Sequence, residues 1–475
     1  MILLPIILPV ITGLLLLTNR IKDIKKCSFI FTVLTLVLCV VNGLWFKDNY
    51  YIFNLLDTLS ISISIDYIAI FFSVLFSFIW LIVTYYAYDY IDKHEREFFS
   101  FFLIIIGVLI GIAYSDNLIT FYMFFEFLSL SSFGLVMYDR SIDAIKAGKK
   151  YLYYSIFGAL LALLSIFYFN YIGVDLSFVA GGRMPPTTND NLTLFFIILY
   201  VIGIGCKAGM FPLHGWLKTA HPIAPAPASA ILSGLLTKAG VIGILRLLYY
   251  VINPKYVIGT YAHNTLIILS LITIFMGSLL AYKEKIIKAR LAYSSVSQVS
   301  YIIFGLLLFN EYALIGALLH VVFHALAKNS LFLTSGIFLH KLHIDNVDQL
   351  IGYGRSLPKT FFNFTIASLS LVGIPLTGGF ISKWYLAIGS LHYGNGYIGV
   401  AVLMISAFLT AGYLLTIVIK NIYTTADNFK TATYNITYKL NNNILAICTI
   451  ILGIFPLPLI NIISVIVDTL LGGII

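Results

Sequence analysis

The chain has 475 residues, 60% of them hydrophobic and 10% charged, with a mean hydropathy of +0.97 and a formal charge of +9. That composition excludes a string of soluble domains and describes an all-α polytopic membrane protein, in which excess positive charge reports loop topology rather than nucleic-acid binding. The four cysteines, Cys27, Cys39, Cys206 and Cys448, form no C-x-x-C, and neither G-x-x-x-x-G-K-[ST] nor a dinucleotide fingerprint occurs, so no zinc, iron-sulfur, nucleotide or other cofactor is expected.

Hydrophobic spans are predicted at roughly residues 1–19, 28–46, 64–86, 98–115, 117–138, 152–174, 192–213, 224–250, 264–282, 294–309, 312–340, 361–391, 397–420 and 443–470, about fourteen transmembrane helices in all. The first lacks a basic leader and a small-residue cleavage site and is expected to be retained. Loops after odd-numbered spans carry most of the basic residues, among them Arg20, Lys22, Lys149, Lys150, Lys218, Lys285, Lys288 and Arg290. Loops after even-numbered spans carry only Lys47, Arg183 and Lys255. One missed or invented helix would scramble that alternation, so both termini are predicted to face away from the cytoplasm.

The second half of span seven and most of span eight read GIGCKAGMFPLHGWLKTAHPIAPAPASAILSGLLTKAGVIGILR, from Gly203 to Arg246. Pro212, Pro222, Pro225 and Pro227 each remove a backbone donor and restrict the preceding residue, so the apolar run must stop, turn and restart. Span twelve is interrupted likewise at Gly373, Pro375, Gly378 and Gly379. The two broken spans lie five helices apart, and consecutive five-helix units have opposite orientations in a bilayer. The expected organisation is therefore a three-helix segment over 1–97, inverted repeats over 98–250 and 264–420, and a last loop and helix over 421–475, with Lys207 and Lys383 in equivalent places.

Charges at membrane depth cost at least about 2.5 kcal/mol each on insertion scales, so those retained there are candidates for function. Lys207, Lys238, Arg246, Lys328 and Lys383 fall inside spans, and Glu126 is the one acid well inside. Pairing of Glu126 with Lys207 would hold the lysine charged and separation would release its proton, a movable switch; a static ion pair is the alternative. Lys238 is positioned to receive that proton, whereas Arg246, two turns further along, is expected to snorkel to the surface. His320, His324 and Lys328 follow i, i+4, i+8 and share one helical face. Imidazole exchanges protons near neutral pH, so the three form a ladder, although a buried histidine that merely bonds a neighbouring carbonyl fits the same residues. His214, beside the Pro212 break, fits either a channel entrance or a loop residue satisfying backbone, and His221 in AHPIAPAP is similar.

Five segments occur in order: KAGMFPLHGWL, AHPIAPAPASAILSGLLTKAG, KARLAYSSVSQVSYIIFGL, HVVFHALAKNSLFLTSG and GIPLTGGFISKW. Together they resemble the antiporter-like membrane subunits shared by respiratory complex I, Mrp cation/proton antiporters (the D subunit) and energy-converting membrane-bound hydrogenases, over roughly residues 98–420. The resemblance implies a central hydrophilic axis of Glu126, Lys207, Lys238 and Lys383, with His320, His324 and Lys328 as the connecting proton relay. It also implies partners in the form of other membrane subunits, with peripheral redox subunits acting indirectly, in a prokaryotic cell membrane. Lys218 stands where that family usually has proline, and Gln298 where it frequently has histidine. One span follows residue 440, which is expected to leave no room for a long lateral helix.

The expected function is proton translocation, with sodium the other ion to consider, driven by a partner because the chain has no energy source of its own. A self-sufficient sodium/proton antiporter is disfavoured because a sodium site wants clustered oxygens and only one acid lies deep. An inactive membrane scaffold is the third reading.

Overall fold

The computed structural model describes residues 1–18, 20–45, 50–56, 59–186, 190–394, 396–423 and 436–472. Lys47, Lys430 and most of the loop ahead of the last helices lie outside the described residues.

The helices run in order α1 (Leu4–Leu17), α2 (Ile24–Trp45), α3 (Tyr67–Tyr90), α4 (Glu95–Tyr114), α5 (Leu118–Val136), α6 (Ile142–Tyr171), α7 (Asp190–Ala208), α8 (Leu217–Ile223), α9 (Ala226–Ile231) and α10 (Thr237–Arg246). They continue with α11 (Pro254–Val257), α12 (Tyr261–Lys283), α13 (Ile287–Leu307), α14 (Glu311–Leu342), α15 (Pro358–Val372), α16 (Gly378–Leu391), α17 (Gly396–Tyr423), α18 (Ile436–Ile454) and α19 (Leu457–Leu471). Single π-helical turns at Leu232–Leu236 and Leu247–Val251 join α9 to α10 and extend α10. Among the described residues ten helices or continuous helical runs are long and apolar enough to cross a membrane, and α18 and α19 form a further pair bent by 77°. The protein is an integral membrane protein, and mostly helical.

It is not wholly helical. Strands β1 (Tyr50–Leu56) and β2 (Leu59–Ile63) pair antiparallel, Tyr50 facing Ile63 and Leu56 facing Leu59. The alternation Leu59-Ser60-Ile61-Ser62-Ile63 has the period of two that a strand requires, a signal the surrounding apolar runs obscured. Asn117, which caps α5 through Thr120 N–H, donates its amide to Ser60 O at 2.8 Å and Ser62 Oγ at 2.9 Å, fastening the hairpin to the start of α5.

Two compact units emerge from the packing. The first comprises Met1–Ala208, Lys238–Leu266 and Asp468–Ile475; the second Gly209–Thr237 and Ile267–Val467. Within the first, α1 packs on α4, α2 on α3, α4 on α5 and α6 on α7. The α6–α7 contact is backbone to backbone: a Cβ placed on Gly203 would fall 2.5 Å from Gly158 O, and one on Gly158 would fall 2.6 Å from Gly203 O. Within the second unit, α14 is the axis, buried at every residue from Ala313 to Phe338 and flanked by α13, α15, α16, α18 and α9. The helix that carries His320, His324 and Lys328 is thus withdrawn from its surroundings over most of its length.

Both breaks expected from the sequence are present. α7 stops at Ala208, followed by Gly209 with φ +82°, and α15 stops at Val372, followed by Gly373 with φ +90°, a conformation glycine adopts without a Cβ penalty. Lys207 precedes its break whereas Lys383, on α16, follows its own.

Candidate proton-relay site

In the first unit Lys207 ends α7 and is 2% exposed. Its ammonium donates to Tyr151 Oη at 2.7 Å, Ser129 Oγ at 2.9 Å and Ser155 Oγ at 3.3 Å. It also faces the rings of Tyr151 and Phe125, with centroids at 4.7 and 5.7 Å. A buried ammonium has three donors to satisfy, and three hydroxyls from α5 and α6 satisfy them without a counter-charge. Tyr151 Oη is in turn 2.6 Å from Ser132 Oγ, so the contact continues along α5 as a line of hydroxyls.

The expected Glu126–Lys207 ion pair is not closed. Glu126 is half-buried on α5 and accepts a hydrogen bond from Tyr122 Oη at 3.1 Å, one turn away on its own helix. Ser129, three residues beyond Glu126 and so on the same side of α5, takes the lysine instead.

Lys238 is fully buried on α10. Virtual Cβ atoms on Gly240 would lie 2.9 Å from Ala208 N and Ile204 O, and on Gly243 2.7 Å from Ile204, so this stretch of α10 rests on the end of α7 that carries Lys207. Arg246 does not snorkel. It is 1% exposed and grips Asp66 at two points, Nη1 to Oδ2 and Nη2 to Oδ1, the latter at 2.9 Å, between the rings of Tyr250 and Phe178 at 4.3 and 4.9 Å. Asp66 caps α3 through Ala69 N–H at 2.8 Å, so the pair ties α10 to the start of α3. A guanidinium buried with a two-point carboxylate partner and two ring faces has no need to reach water.

In the second unit the His320, His324, Lys328 ladder lies along α14, each group 0–1% exposed. Lys328 Nζ donates at 2.9 Å to Leu291 O, a helical carbonyl of α13 that also accepts from Ser295 Oγ at 2.9 Å. The rings of His324 and His320 are 6.2 Å apart, and His320 Nδ1 lies 2.9 Å from Ser382 Oγ on α16. The next residue is Lys383, half-buried, whose ammonium sits on Leu371 O and Val372 O at 2.5 and 3.0 Å. These are free carbonyls at the C-terminal end of α15, where a cation is favoured. Tyr301 on α13 joins the two, stacking on His320 with centroids 5.5 Å apart and presenting its ring to Lys383 Nζ at 5.0 Å. Lys383 also lines a cavity of about 640 Å³ between α16 and α17 whose other walls, among them Phe380, Trp384, Leu403 and Phe408, are apolar.

His320, His324, Lys328 and Lys383 therefore come together in one unit, and in the other the helices that carry Lys207 and Lys238 are in contact. Sequence reasoning missed their neutral partners, Ser129, Tyr151, Ser155, Ser382 and Tyr301. It also left Lys288 in a loop, whereas that residue begins α13, is 6% exposed and donates to Ala224 O at 2.8 Å.

A helical membrane protein with broken spans and buried lysines and histidines strung along packed helices is of the ion-translocating class. Residues 115–410 match the family model described as NADH:quinone oxidoreductase/Mrp antiporter, TM. The chain is 33% identical over 383 residues to NADH-quinone oxidoreductase subunit N of Desulforudis audaxviator, covering 79% of this chain and 75% of that protein. It is 30% identical over 490 residues to subunit M of Rickettsia prowazekii, covering 98% and 97%. Its fold matches a chain of the Mrp complex from Dietzia sp. with a TM-score of 0.87 at 20% identity, over 99% of this chain and 97% of that one. The chain belongs to the NADH:quinone oxidoreductase/Mrp antiporter membrane family.

Proposed function

We propose that this chain is a proton-translocating, antiporter-like subunit of a multisubunit membrane complex, of the kind to which its oxidoreductase and Mrp relatives belong. The observation that carries the reading is the run Lys328, His324, His320 along α14 at one-turn spacing, with His320 Nδ1 on Ser382 Oγ and Lys383 the next residue of α16. Within the apolar interior of one helical unit, such a run offers a proton successive acceptors about one helical turn apart.

In this reading Lys207 holds a proton among Ser129, Tyr151 and Ser155, Lys238 receives it, and the ladder carries it to Lys383. Glu126 sets the proton affinity of Lys207 by approaching or withdrawing. The finer architecture is part of the same proposal: about fourteen membrane crossings, inverted repeats over 98–250 and 264–420, both termini on the non-cytoplasmic side of a prokaryotic membrane, and a driving reaction supplied by partner subunits. Proton uptake into vesicles carrying the whole complex tests the reading when Lys207 or Glu126 is replaced by alanine. Transport is expected to disappear while the complex remains assembled, and undiminished transport in either variant overturns the proposal.

A further inference from the structure

α13 and α14 run antiparallel and in contact, and two anchors fix their register. At one end Leu291 O accepts from Lys328; at the other a Cβ on Gly305 would fall 2.9 Å from both Ala313 O and the Ala317 Cβ. Leu291, Gln298 and Gly305 follow i, i+7, i+14, so they share the stripe of α13 that faces α14. By helical rise Gln298 stands about 10 Å along α13 from the Lys328 anchor. On α14, His324 and His320 stand about 6 and 12 Å from the same anchor. Gln298 therefore faces the interval between the two histidines.

That interval needs a bridge. With ring centroids 6.2 Å apart, the imidazole nitrogens of His320 and His324 cannot meet at hydrogen-bond length. Gln298 is fully buried, and neither its amide nitrogen nor its amide oxygen has a partner among the described residues. A primary amide has two donors and an acceptor with two lone pairs, and burying them unmet is costly unless water meets them.

We infer that Gln298 is a positioning residue of the relay, its carboxamide holding a water between His324 and His320; this rests on the proton-relay reading above. The amide oxygen accepts from the water or the amide N–H donates to it, fixing its orientation. A proton then passes as an imidazolium N–H bond of one histidine breaks and a water O–H bond forms, while another O–H bond of that water breaks to protonate the second histidine. The amide keeps its own protons throughout. The elements packed against α13 bring His221 of α8, His320, His324 and Lys328 of α14, Lys383 of α16 and Tyr413 of α17, beside Tyr301 of α13 itself. A non-titrating group at this point adds no further positive charge to that set.

The test measures proton transport by the assembled complex in vesicles for Gln298→Met, Gln298→His and, as a control on the relay, Lys328→Met. Gln298→Met keeps the length of the side chain without its hydrogen bonds, and is expected to lower transport at least tenfold at unchanged assembly. Gln298→His is expected to transport with a pH profile altered by the one titrating group it adds. Wild-type rates in Gln298→Met overturn the inference, and so does a wild-type pH profile in Gln298→His, the deciding result if Gln298→Met does not assemble. If Lys328→Met also transports normally, the relay reading has failed and the inference falls with it; if Lys328→Met is inactive, only the role of Gln298 is at issue.

Discussion

Lys207 and Tyr151 meet at 2.7 Å, the shortest of the three hydroxyl contacts that hold this buried ammonium. Hydrogen bonds to charged groups are worth about 1.5–3 kcal/mol, and tyrosine supplies a ring face to the same cation. Tyr151→Phe keeps the ring and removes the hydroxyl. It is expected to reduce proton transport roughly tenfold, the equivalent of about 1.4 kcal/mol, whereas Ser155→Ala, which removes the 3.3 Å contact, is expected to change it much less. Dye-monitored proton uptake in vesicles separates the two, and equal effects would contradict this ordering.

The lysine's hydroxyl cage depends on how closely two backbones approach. Gly158 and Gly203 let α6 and α7 touch, and any side chain at Gly203 meets the Gly158 carbonyl. Gly203→Val is expected to force α6 outward, carrying Tyr151 and Ser155 with it, and to cost about 1–3 kcal/mol as overpacking does. A lowered unfolding temperature in detergent, together with lost transport, is the expected pair of results. A stable variant with full transport would show that the helices have slack.

What could be read from the sequence was whatever is local to one helix. The i, i+4, i+8 run of His320, His324 and Lys328 and the glycine and proline breaks around Lys207 and Lys383 need only helical period and backbone chemistry, and the structure contains them. Partnerships between helices were not legible, because they depend on packing register. Nothing in the neighbourhood of Arg246 announces Asp66, 180 residues away along the chain. Ser129, Tyr151 and Ser382 looked like ordinary polar punctuation in apolar spans. Lys288 was misplaced for a related reason: a helix start one residue before it turns a loop charge into a buried one. The hairpin was hidden because its alternation lasts only five residues between two long apolar runs.

Arg246 and Asp66 supply a test of stability rather than transport. Removing one partner of a buried pair leaves the other uncompensated and typically costs about 3–5 kcal/mol, whereas replacing both with apolar groups is often nearly neutral. Arg246→Met alone is therefore expected to be strongly destabilising, and Arg246→Met combined with Asp66→Leu to recover much of that loss. Asp66 also caps α3, so recovery should fall short by about 1 kcal/mol, the usual worth of a cap. Denaturation midpoints of the four members of this cycle give the coupling directly, and additive losses would mean the ion pair contributes little.

Lys383 rests on the carbonyl end of α15, and the sign of its charge matters there. A carboxylate in its place would face Leu371 O and Val372 O, two acceptors at the negative end of a helix, and could escape only into an apolar cavity. A protonated carboxyl, by contrast, can donate to either carbonyl. Lys383→Glu is thus expected to be less stable at pH 8 than Lys383→Gln, whose amide still donates to either carbonyl. Thermal unfolding of both variants at that pH is the measurement, and a Lys383→Glu protein as stable as Lys383→Gln would mean that the carbonyl end of α15 is open to water.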